Sequence, residues 1–426
     1  MAHAMESLQQ VEFAYNRQRG RPSYAEFVHR GQPPRYPAFA MQLPVAFMPW
    51  DEDNGGVVCF MHPVTQSVLS SPEETSDESA NVGVCRCGVV KFGKYFQRTR
   101  LKELGACDVA LKIMDKGQLE LQKDDVFNEV RVMAQLQPPG FRGEYRSRHF
   151  SQWECCTDQH NEYIAMDFAA NGSLVMYVKR RLTDYKRFAV QKLVQTMSSL
   201  PCIEAIVNAF VAEAWMTEAL HIFSGVMRGL AYMHANGVCH LDLDPCNVVI
   251  DAHFNPRLID FGSSEVMTSD GLAGLDDRLV KFKPLYVAQE VREHNHHAPP
   301  RPGFLGAAAD MWSAGVLLYQ LLCFGYPKGH LALICDQNWR HNLMCHARVG
   351  YGTCLADQGC LICFRNILFP PVIYDIFVKL LVVERPGDRI SADMVANLVQ
   401  PLVDGYDPNF LSRSEAILEA VVAAHN

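Results

Sequence analysis

The placement of β-branched and large apolar residues at every second position predicts a β-strand at Val109–Met114. Valine, leucine and isoleucine occupy every second position, so one face is apolar, and Lys112 lies on the opposite face beside Ala110. The next segment, 123–137, has an apolar stripe at helical spacing instead, with Glu129 on its edge. The sequence thus predicts a strand followed by an amphipathic helix, with a lysine on the first and a glutamate on the second.

Helical spacing recurs in the second half of the chain. Residues 185–213 carry apolar side chains at every third or fourth position, which predicts additional helix. Met311–Phe324 is the most apolar long segment, but it is too short to span a bilayer and contains Ser313 and Gln320. We therefore expect it to be a buried helix. Ser414–Ala424 predicts a further amphipathic helix.

The composition is that of a globular protein with a sizeable core. Of the 426 residues, 49% are hydrophobic and 20% are charged, and the net charge is −8. A nucleic-acid-binding protein would usually be basic, so we expect no nucleic-acid partner. The N-terminus lacks the apolar core of a secretory signal, and the scattered cysteines favour a reducing compartment. We expect a cytoplasmic protein without a membrane partner, with the nucleus left open.

The segment His240–Ile250 (HLDLDPCNVVI) carries the densest candidate chemistry. Asp242 and Asn247 precede a short apolar strand, and Asp260 follows a second short apolar segment. Two short strands joined by a turn would bring these three side chains together. One carboxylate can accept a proton, while the other carboxylate and the amide oxygen suit Mg²⁺. Phosphoryl transfer requires this set: a metal clamp, positioned phosphates and a base for the attacking hydroxyl.

His240–Ile250, followed by Asp260-Phe261-Gly262, resembles the catalytic loop and the metal-binding DFG motif of protein kinases. The resemblance implies that Asp242 is the catalytic base. It also implies that Asn247 and Asp260 bind Mg²⁺ and that ATP is the phosphate donor. With proline at position 245, this loop resembles that of serine/threonine kinases rather than that of tyrosine kinases.

The same resemblance extends toward the N-terminus. The strand with Lys112 resembles the family's VAIK strand, which makes this residue the phosphate-binding lysine and Glu129 its ion-pair partner. The glycine loop is expected at Gly88–Gly93, with valine replacing the middle glycine, and the adenine-binding hinge at Tyr163–Ala169, where Met166 would be the gatekeeper. The candidate ATP-binding residues are Lys112, Glu129, Gly88, Val90, Gly93, Ala110, Asp167, Ala169 and Asp244.

The resemblance implies an α+β fold with a small β-rich lobe and a larger helical lobe. The expected boundaries are 1–80 for an N-terminal extension, 81–165 for the small lobe, 166–404 for the large lobe and 405–426 for a C-terminal tail, with a helical insertion near 185–213 and a Cys-containing insertion at 330–363.

Three later motifs resemble structural elements of the family. Tyr286–Glu290 is similar to the APE motif, with glutamine in place of proline, and Asp310–Gly315 is similar to the DxWSxG start of the central helix. Arg389 matches the family's late arginine and is expected to pair with Glu290, because a charge in a packed lobe requires a counter-charge.

Three further positions depart from the family pattern. Leu241 replaces the arginine that usually binds a phosphorylated activation loop, so we expect activity without loop phosphorylation. Asp244 replaces a lysine near the transferring phosphate. Two like charges ~5 Å apart at an effective dielectric of ~20 repel by about 3 kcal/mol, on the order of a hundredfold in rate. Alternatively, Asp244 faces a basic substrate group or helps to hold the metal. Lys283 stands where serine/threonine kinases usually have threonine.

Two weaker patterns leave alternatives open. Cys345, His346, Cys354, Cys360 and Cys363 have residue types that suit zinc, although cysteine is also a common small buried residue.

Residues 43–72 distantly resemble a WW domain that lacks its ligand-binding tryptophan, and the alternative is an extended N-terminal arm. The N-terminal extension is also where we expect a regulatory partner.

Two functions follow from the resemblance. The first is an ATP- and Mg²⁺-dependent protein kinase that phosphorylates serine and threonine hydroxyls of protein substrates. The alternative is a pseudokinase, an ATP-binding scaffold with weak or no catalysis, which is favoured by the substitutions at Leu241, Val90, Asp244 and Gln289.

Overall fold

The computed structural model describes two compact units. The first takes its residues from Met1–Val130 and Ser151–Ala169, and the second from Arg131–Phe150 and Ala170–Asn426. The predicted Cys- and His-containing site at 345–363 and most of the WW-like segment lie outside the described residues. The described ranges are 45–48, 56–61, 81–85, 88–97, 107–122, 126–136, 153–157, 160–194, 200–276, 278–322, 369–383 and 385–425.

The described residues of the first unit form an antiparallel sheet of seven strands. Its strand order is β1-β2-β4-β5-β7-β6, with β3 paired to β4 outside this path. The strands are β1 (Val45–Met48), β2 (Gly56–Met61), β3 (Asn81–Cys85), β4 (Gly88–Gln97), β5 (Cys107–Asp115), β6 (Trp153–Thr157) and β7 (Asn161–Asp167).

The strand and helix predicted around Lys112 are both present. Strand β5 contains the predicted segment, and its residues Leu111–Asp115 are all buried, so both faces of this part of the strand are covered. Helix α1 (Lys116–Gln122) follows directly, and the side chain of Asp115 accepts the Gln118 N–H at 2.8 Å, as an N-cap does. Helix α2 then spans Val126–Leu136.

The described part of the second unit is mainly helical. Its helices are α3 (Leu174–Val194), α4 (Leu200–Ala235), α5 (Gln289–His296), α6 (Gly306–Leu322), α7 (Pro371–Phe377, continued by a π-helical turn Val378–Val382), α8 (Ala392–Val403) and α9 (Phe410–His425). The predicted helical segment 185–213 is therefore shared between α3 and α4, and the helix predicted at Ser414–Ala424 lies within α9.

Two apolar helices, α4 and α6, form the centre of the second unit. Helix α4 is apolar on nearly all sides, which is typical of a helix surrounded by protein. Trp215 on α4 is fully buried and donates its indole N–H to the Leu321 carbonyl of α6 at 2.6 Å. From Ala309 to Leu322 every residue of α6 is buried, which confirms the predicted buried helix.

Three short antiparallel strand pairs are also present among the described residues of the second unit. They join β8 (Val238–Cys239) with β11 (Glu265–Val266), β9 (Val248–Ile250) with β10 (Pro256–Leu258), and β12 (Leu272–Ala273) with β13 (Phe304–Leu305). The pairing of β9 with β10 is the predicted two-strand arrangement. It places the loop that follows β8 and the segment that follows β10 on either side of one hairpin.

Candidate active site

A buried lysine–glutamate pair lies in the first unit. The Lys112 ammonium nitrogen Nζ is 2.7 Å from Oε2 of Glu129, and both residues are less than 10% exposed. Strand β5 sets Lys112 between Val90 of β4 and Ile164 of β7. Since a buried charge requires a partner, each group accounts for the burial of the other. The predicted contact between strand lysine and helix glutamate is confirmed.

The glycine loop is predicted at Gly88–Gly93, and this segment is a strand in the structure. It lies within β4 and pairs with β5 along its whole length, so the chain does not reverse direction inside it. The chain reverses direction between Cys85 and Gly88, which are register partners of β3 and β4. Gly83 lies before this reversal.

The series Gly83, Cys85, Gly88 has the family's GxGxxG spacing, with cysteine in the middle position. Val90 then matches the valine two residues after the last glycine. Gly83 and Gly88 are therefore the loop candidates next to the chain reversal, and a role of Gly93 stays a prediction. The sequence contains this pattern, and Val90 favours it over the match five residues later, where Tyr95 occupies the corresponding position.

The predicted adenine-binding segment is strand β7 and the residues after it. Ala110 is the register partner of Met166, and Val109 is that of Asp167. Ala169 is buried and is the last residue of the first unit. These positions are consistent with a segment that leads from one unit to the next, and their contact with adenine stays a prediction.

The loop between β8 and β9 holds Asp242 and Asn247 in direct contact. The side-chain amide of Asn247 donates to the Asp242 carbonyl at 2.8 Å and to its carboxylate Oδ2 at 2.9 Å. Asn247 is buried, whereas Asp242 is partly exposed. Because the amide nitrogen is used in this way, the amide oxygen is the end of Asn247 that can accept a hydrogen bond or bind a metal.

The side chain of Asp310, near the start of α6, fixes the backbone of this loop. This fully buried carboxylate accepts the N–H groups of His240 at 2.8 Å and Leu241 at 2.7 Å, and it lies 2.8 Å from Nε2 of His234. Leu241 is thereby held at a φ of 63°, in the left-handed region that non-glycine residues rarely adopt. The anchored loop ends at Asp242.

His240 connects the loop to the segment before Asp260. Its Nε2 lies 3.1 Å from the Ile259 carbonyl, and its Nδ1 lies 3.3 Å from the Asp242 amide nitrogen. A carbonyl only accepts and an amide N–H only donates, so we assign the hydrogen of the neutral ring to Nε2. Burial lowers the pKa of His240, which favours this neutral form.

Asp260 is held in a strained backbone conformation next to this loop. Its φ of 64° and ψ of 72° are left-handed, which costs a non-glycine residue on the order of 1–3 kcal/mol. The preceding Ile259 N–H donates to the Asn247 carbonyl at 3.0 Å, so both sides of the hairpin fix the position of Asp260. The structure thus places Asn247 and Asp260 at the two ends of one hairpin, with Asp242 hydrogen-bonded to Asn247 in the loop before it.

Asp244 is paired with a lysine that is distant in sequence. The Lys283 ammonium forms an ion pair with Oδ2 of Asp244 and lies 3.8 Å from Oδ2 of Asp242. The other carboxylate oxygen of Asp244 accepts the Cys246 N–H at 2.5 Å. The repulsion predicted for Asp244 assumed an isolated carboxylate, so the local charge has to be counted with Lys283 included.

Side chains of the segment after Asp260 form hydrogen bonds that hold this segment in place. Ser264 is buried and donates to the His240 carbonyl at 3.2 Å, and Glu265 accepts the Gly274 N–H at 2.6 Å. Thr268 closes a turn by donating to Asp270 at 2.6 Å and accepting the N–H of Leu272. These contacts order the segment without a phosphate group.

Comparison with known proteins identifies the family. A family model described as the protein kinase domain matches residues 88–395, well over half of the chain. The chain belongs to the protein kinase family. The predicted α+β kinase fold is confirmed by this match together with the sheet of the first unit and the helices of the second.

Several curated serine/threonine kinases are similar to this kinase. Serine/threonine-protein kinase grp of Drosophila melanogaster is 35% identical over 127 residues, which are 29% of this chain and 23% of that protein. CBL-interacting serine/threonine-protein kinase 8 of Arabidopsis thaliana is 28% identical over 242 residues, 56% of this chain and 43% of that protein. The SNF1-related protein kinase catalytic subunit alpha KIN12, also of Arabidopsis thaliana, is 26% identical over 224 residues, 51% and 35% of the two chains. The kinase therefore spans less than half the length of each of these relatives.

The expected structural ion pair of the kinase is present. Arg389 donates to both carboxylate oxygens of Glu290, at 3.2 Å for the Nη2–Oε2 contact, and also to the Ala308 carbonyl at 2.9 Å. The guanidinium stacks over the Trp312 ring at 5.3 Å. Gln289, which replaces the family's proline, is exposed and bonds to Glu293 on its own helix at 2.8 Å, so the Glu290–Arg389 pair forms without the proline.

Among the described residues, no helix is both long and apolar enough to cross a membrane. Within the same residues, His, Cys, Asp and Glu side chains form no group of three or more that could hold a metal ion by themselves. A metal bound through Asn247 and Asp260 would therefore need oxygens from the nucleotide as well, as is usual for Mg²⁺ at phosphates.

Proposed function

We propose that this chain is an active protein kinase that transfers the γ-phosphate of ATP to serine or threonine hydroxyls of protein substrates. The observation that carries the proposal is the hydrogen-bonded pair of Asp242 and Asn247 on a loop anchored by Asp310. An amide that donates to the carboxylate fixes the direction of its oxygens, so Asp242 can receive the proton of an incoming hydroxyl.

Each remaining residue has a role that its surroundings support. Lys112, oriented by Glu129, would bind the phosphates of ATP. The amide oxygen of Asn247 and the carboxylate of Asp260 are hard ligands that fit Mg²⁺, and they would hold it. Bound Mg²⁺ would neutralise phosphate charge as the transfer proceeds. The protein's own contribution is mostly positioning, because the base and the ligands are held before the substrate arrives.

The proposal is tested by radiolabel transfer from ATP to a generic basic protein, with Asp242→Asn as the control. The expected result is transfer by the natural kinase that falls at least a hundredfold in the variant, since general base catalysis contributes about 10²–10⁴-fold. ATP with Mg²⁺ should raise the melting temperature of both proteins equally. Phosphoamino-acid analysis of the product should show phosphoserine or phosphothreonine; phosphotyrosine alone would reject the substrate class.

The second candidate is the pseudokinase. It is favoured by Asp244, which places a carboxylate where a catalytic lysine is usual, and by Cys85 in the glycine loop candidate. In the same experiment, a pseudokinase would show the thermal shift with ATP and Mg²⁺ but no transfer above the Asp242→Asn background.

A further inference from the structure

Two departures from the family, at positions 244 and 283, contact each other. Kinases of the serine/threonine class usually have lysine at the first position and threonine at the second, whereas this chain has Asp244 and Lys283. The two side chains form an ion pair across 39 residues of sequence. The cation has therefore moved from the catalytic loop to the segment that precedes Tyr286, and a carboxylate has taken its place.

Asp244 explains why Lys283 lies where it does. The Asp244 side chain is only 1% exposed, and a carboxylate at such a site is costly unless a cation and hydrogen bonds compensate it. Cys246 supplies one N–H to this carboxylate, and Lys283 supplies the charge. Asp244 therefore acts as an anchor that draws the lysine ammonium into the catalytic loop.

The ion pair with Asp244 leaves the Lys283 side chain partly exposed to solvent. Its side chain is 42% exposed, and its ammonium lies within 3.8 Å of the Asp242 carboxylate, the proposed base. Burial lowers the pKa of Lys283, and the charge of Asp242 opposes that effect. The ammonium thus has one buried anion behind it, the base beside it, and a solvent-accessible side on which a phosphoryl group can approach.

We propose that Lys283 is a catalytic residue that supplies the positive charge for the transferring phosphoryl group, in place of the usual catalytic-loop lysine. This inference rests on the proposed kinase function. The carboxylates of Asp242 and Asp244 carry two negative charges. The Lys283 ammonium lowers this to one excess negative charge for the three side chains together. A fixed cation beside the reacting oxygen stabilises the charge that develops during transfer.

The decisive variant is Lys283→Thr, which restores the residue usual in the family but leaves Asp244 without its cation. The expected result is a fall in kcat of about 10–100-fold, at the low end for a charge-stabilising group because Lys283 is partly exposed. The KM for ATP should change by about twofold or less, because nucleotide binding depends mainly on other residues. Lys281→Thr, which removes the same charge two residues away, serves as the matched control and should leave kcat unchanged.

Two further variants separate a catalytic role from a structural one. Asp244→Lys combined with Lys283→Thr rebuilds the usual arrangement and should restore kcat to at least the natural level. Lys283→Arg keeps a cation at this position and should recover most of the kcat that Lys283→Thr loses. If the ion pair only fastened the two segments together, kcat in all these variants would change in proportion to the melting temperature, and the charge at position 283 would have no separate effect.

The outcomes distinguish this inference from the function on which it rests. If the natural kinase transfers phosphate but folded Lys283→Thr keeps its kcat, or the double variant fails to recover activity, the role of Lys283 is overturned and the kinase function stands. If the natural kinase transfers nothing above the Asp242→Asn background, both are overturned. Loss of kcat in Lys283→Thr with recovery in the double variant supports both.

Discussion

Replacing Glu218 by glutamine tests how the C-terminal helix is held in the fold. Glu218 on α4 is 1% exposed and accepts hydrogen bonds from Arg181 at 2.9 Å, from Tyr185 at 2.5 Å and from Tyr177. Arg413 of α9 lies 3.4 Å from the same carboxylate. Burial raises the pKa of both tyrosines, and the charge of Glu218 adds to this effect, so they act as neutral donors.

The expected loss of stability in Glu218→Gln follows from the number of charged groups around Glu218. One carboxylate faces two buried guanidinium groups, and the excess charge is partly balanced by the ring of Phe410, 4.7 Å from Arg181, and that of Tyr406, 4.6 Å from Arg413. Glu218→Gln retains an acceptor oxygen but leaves two uncompensated buried cations. Breaking a buried pair costs about 3–5 kcal/mol, and the retained oxygen places this variant at about 3 kcal/mol. For a unit of this size, that is a fall of about 6–12 °C in melting temperature.

Thermal and urea unfolding of the purified chain measure this effect. The matched control is Glu415→Gln, which breaks an ion pair with Lys192 in which both side chains are about half exposed, and which should cost only about 0–1 kcal/mol. Adding Arg413→Met to Glu218→Gln removes one excess cation and should recover part of the loss. Equal melting temperatures for Glu218→Gln and Glu415→Gln would refute the reasoning.

Three further outcomes are expected. Because burial lowers the pKa of His240, the folded state prefers the neutral ring, so the free energy of unfolding should fall as the pH drops below about 6.5. Urea unfolding above and below that pH should show a smaller fall in the free energy of unfolding for His240→Gln than for the unchanged chain. An equal fall in the two proteins would contradict the assignment. Ser269→Ala removes an exposed hydroxyl from the segment after Asp260 and should leave kcat within about twofold, whereas loss of activity would show that phosphorylation is required. Glu129→Gln leaves the ammonium of Lys112 buried without its counter-charge, so it should lower stability by about 3 kcal/mol in urea and reduce transfer; an unchanged unfolding midpoint would be inconsistent with the 2.7 Å pair.

The parts of the fold that depend on local sequence period were predictable. Strand β5 has β-branched and large apolar residues at every second position, and helix α6 is a long apolar segment, so each is specified by its own residues. The Glu290–Arg389 pair spans 99 residues, yet it too was predictable, because the motifs that contain both residues occur in the family's order. Local period and motif order are thus the two kinds of information that the sequence presents directly.

The glycine loop shows where this information ends. Two overlapping matches, one containing Gly83 and one containing Gly93, occur in the sequence, and both have another residue in place of the middle glycine. Only the pairing of β3 with β4 places the chain reversal between Cys85 and Gly88. Strand register depends on which residues face one another across the sheet, and that is a property of the folded chain.

The Glu218 cluster was not predictable for a related reason. Arg181, Tyr185 and Arg413 belong to two different helices, neither of which contains Glu218, and no motif connects them. Each is unremarkable in sequence, since arginines and tyrosines are common at partly exposed positions. Their shared carboxylate becomes visible only when the helices pack.

The ion pair between Asp244 and Lys283 also connects distant positions, and it bears on the choice between kinase and pseudokinase. Taken alone, Asp244 implies a carboxylate facing the transferring phosphate, and that was the strongest reason to expect weak catalysis. Its pairing with Lys283 replaces this with a cation within 3.8 Å of the proposed base, so the substitution at 244 cannot be weighed without the one at 283. The two departures together keep a cation near the proposed base, and this supports the proposed kinase over the pseudokinase.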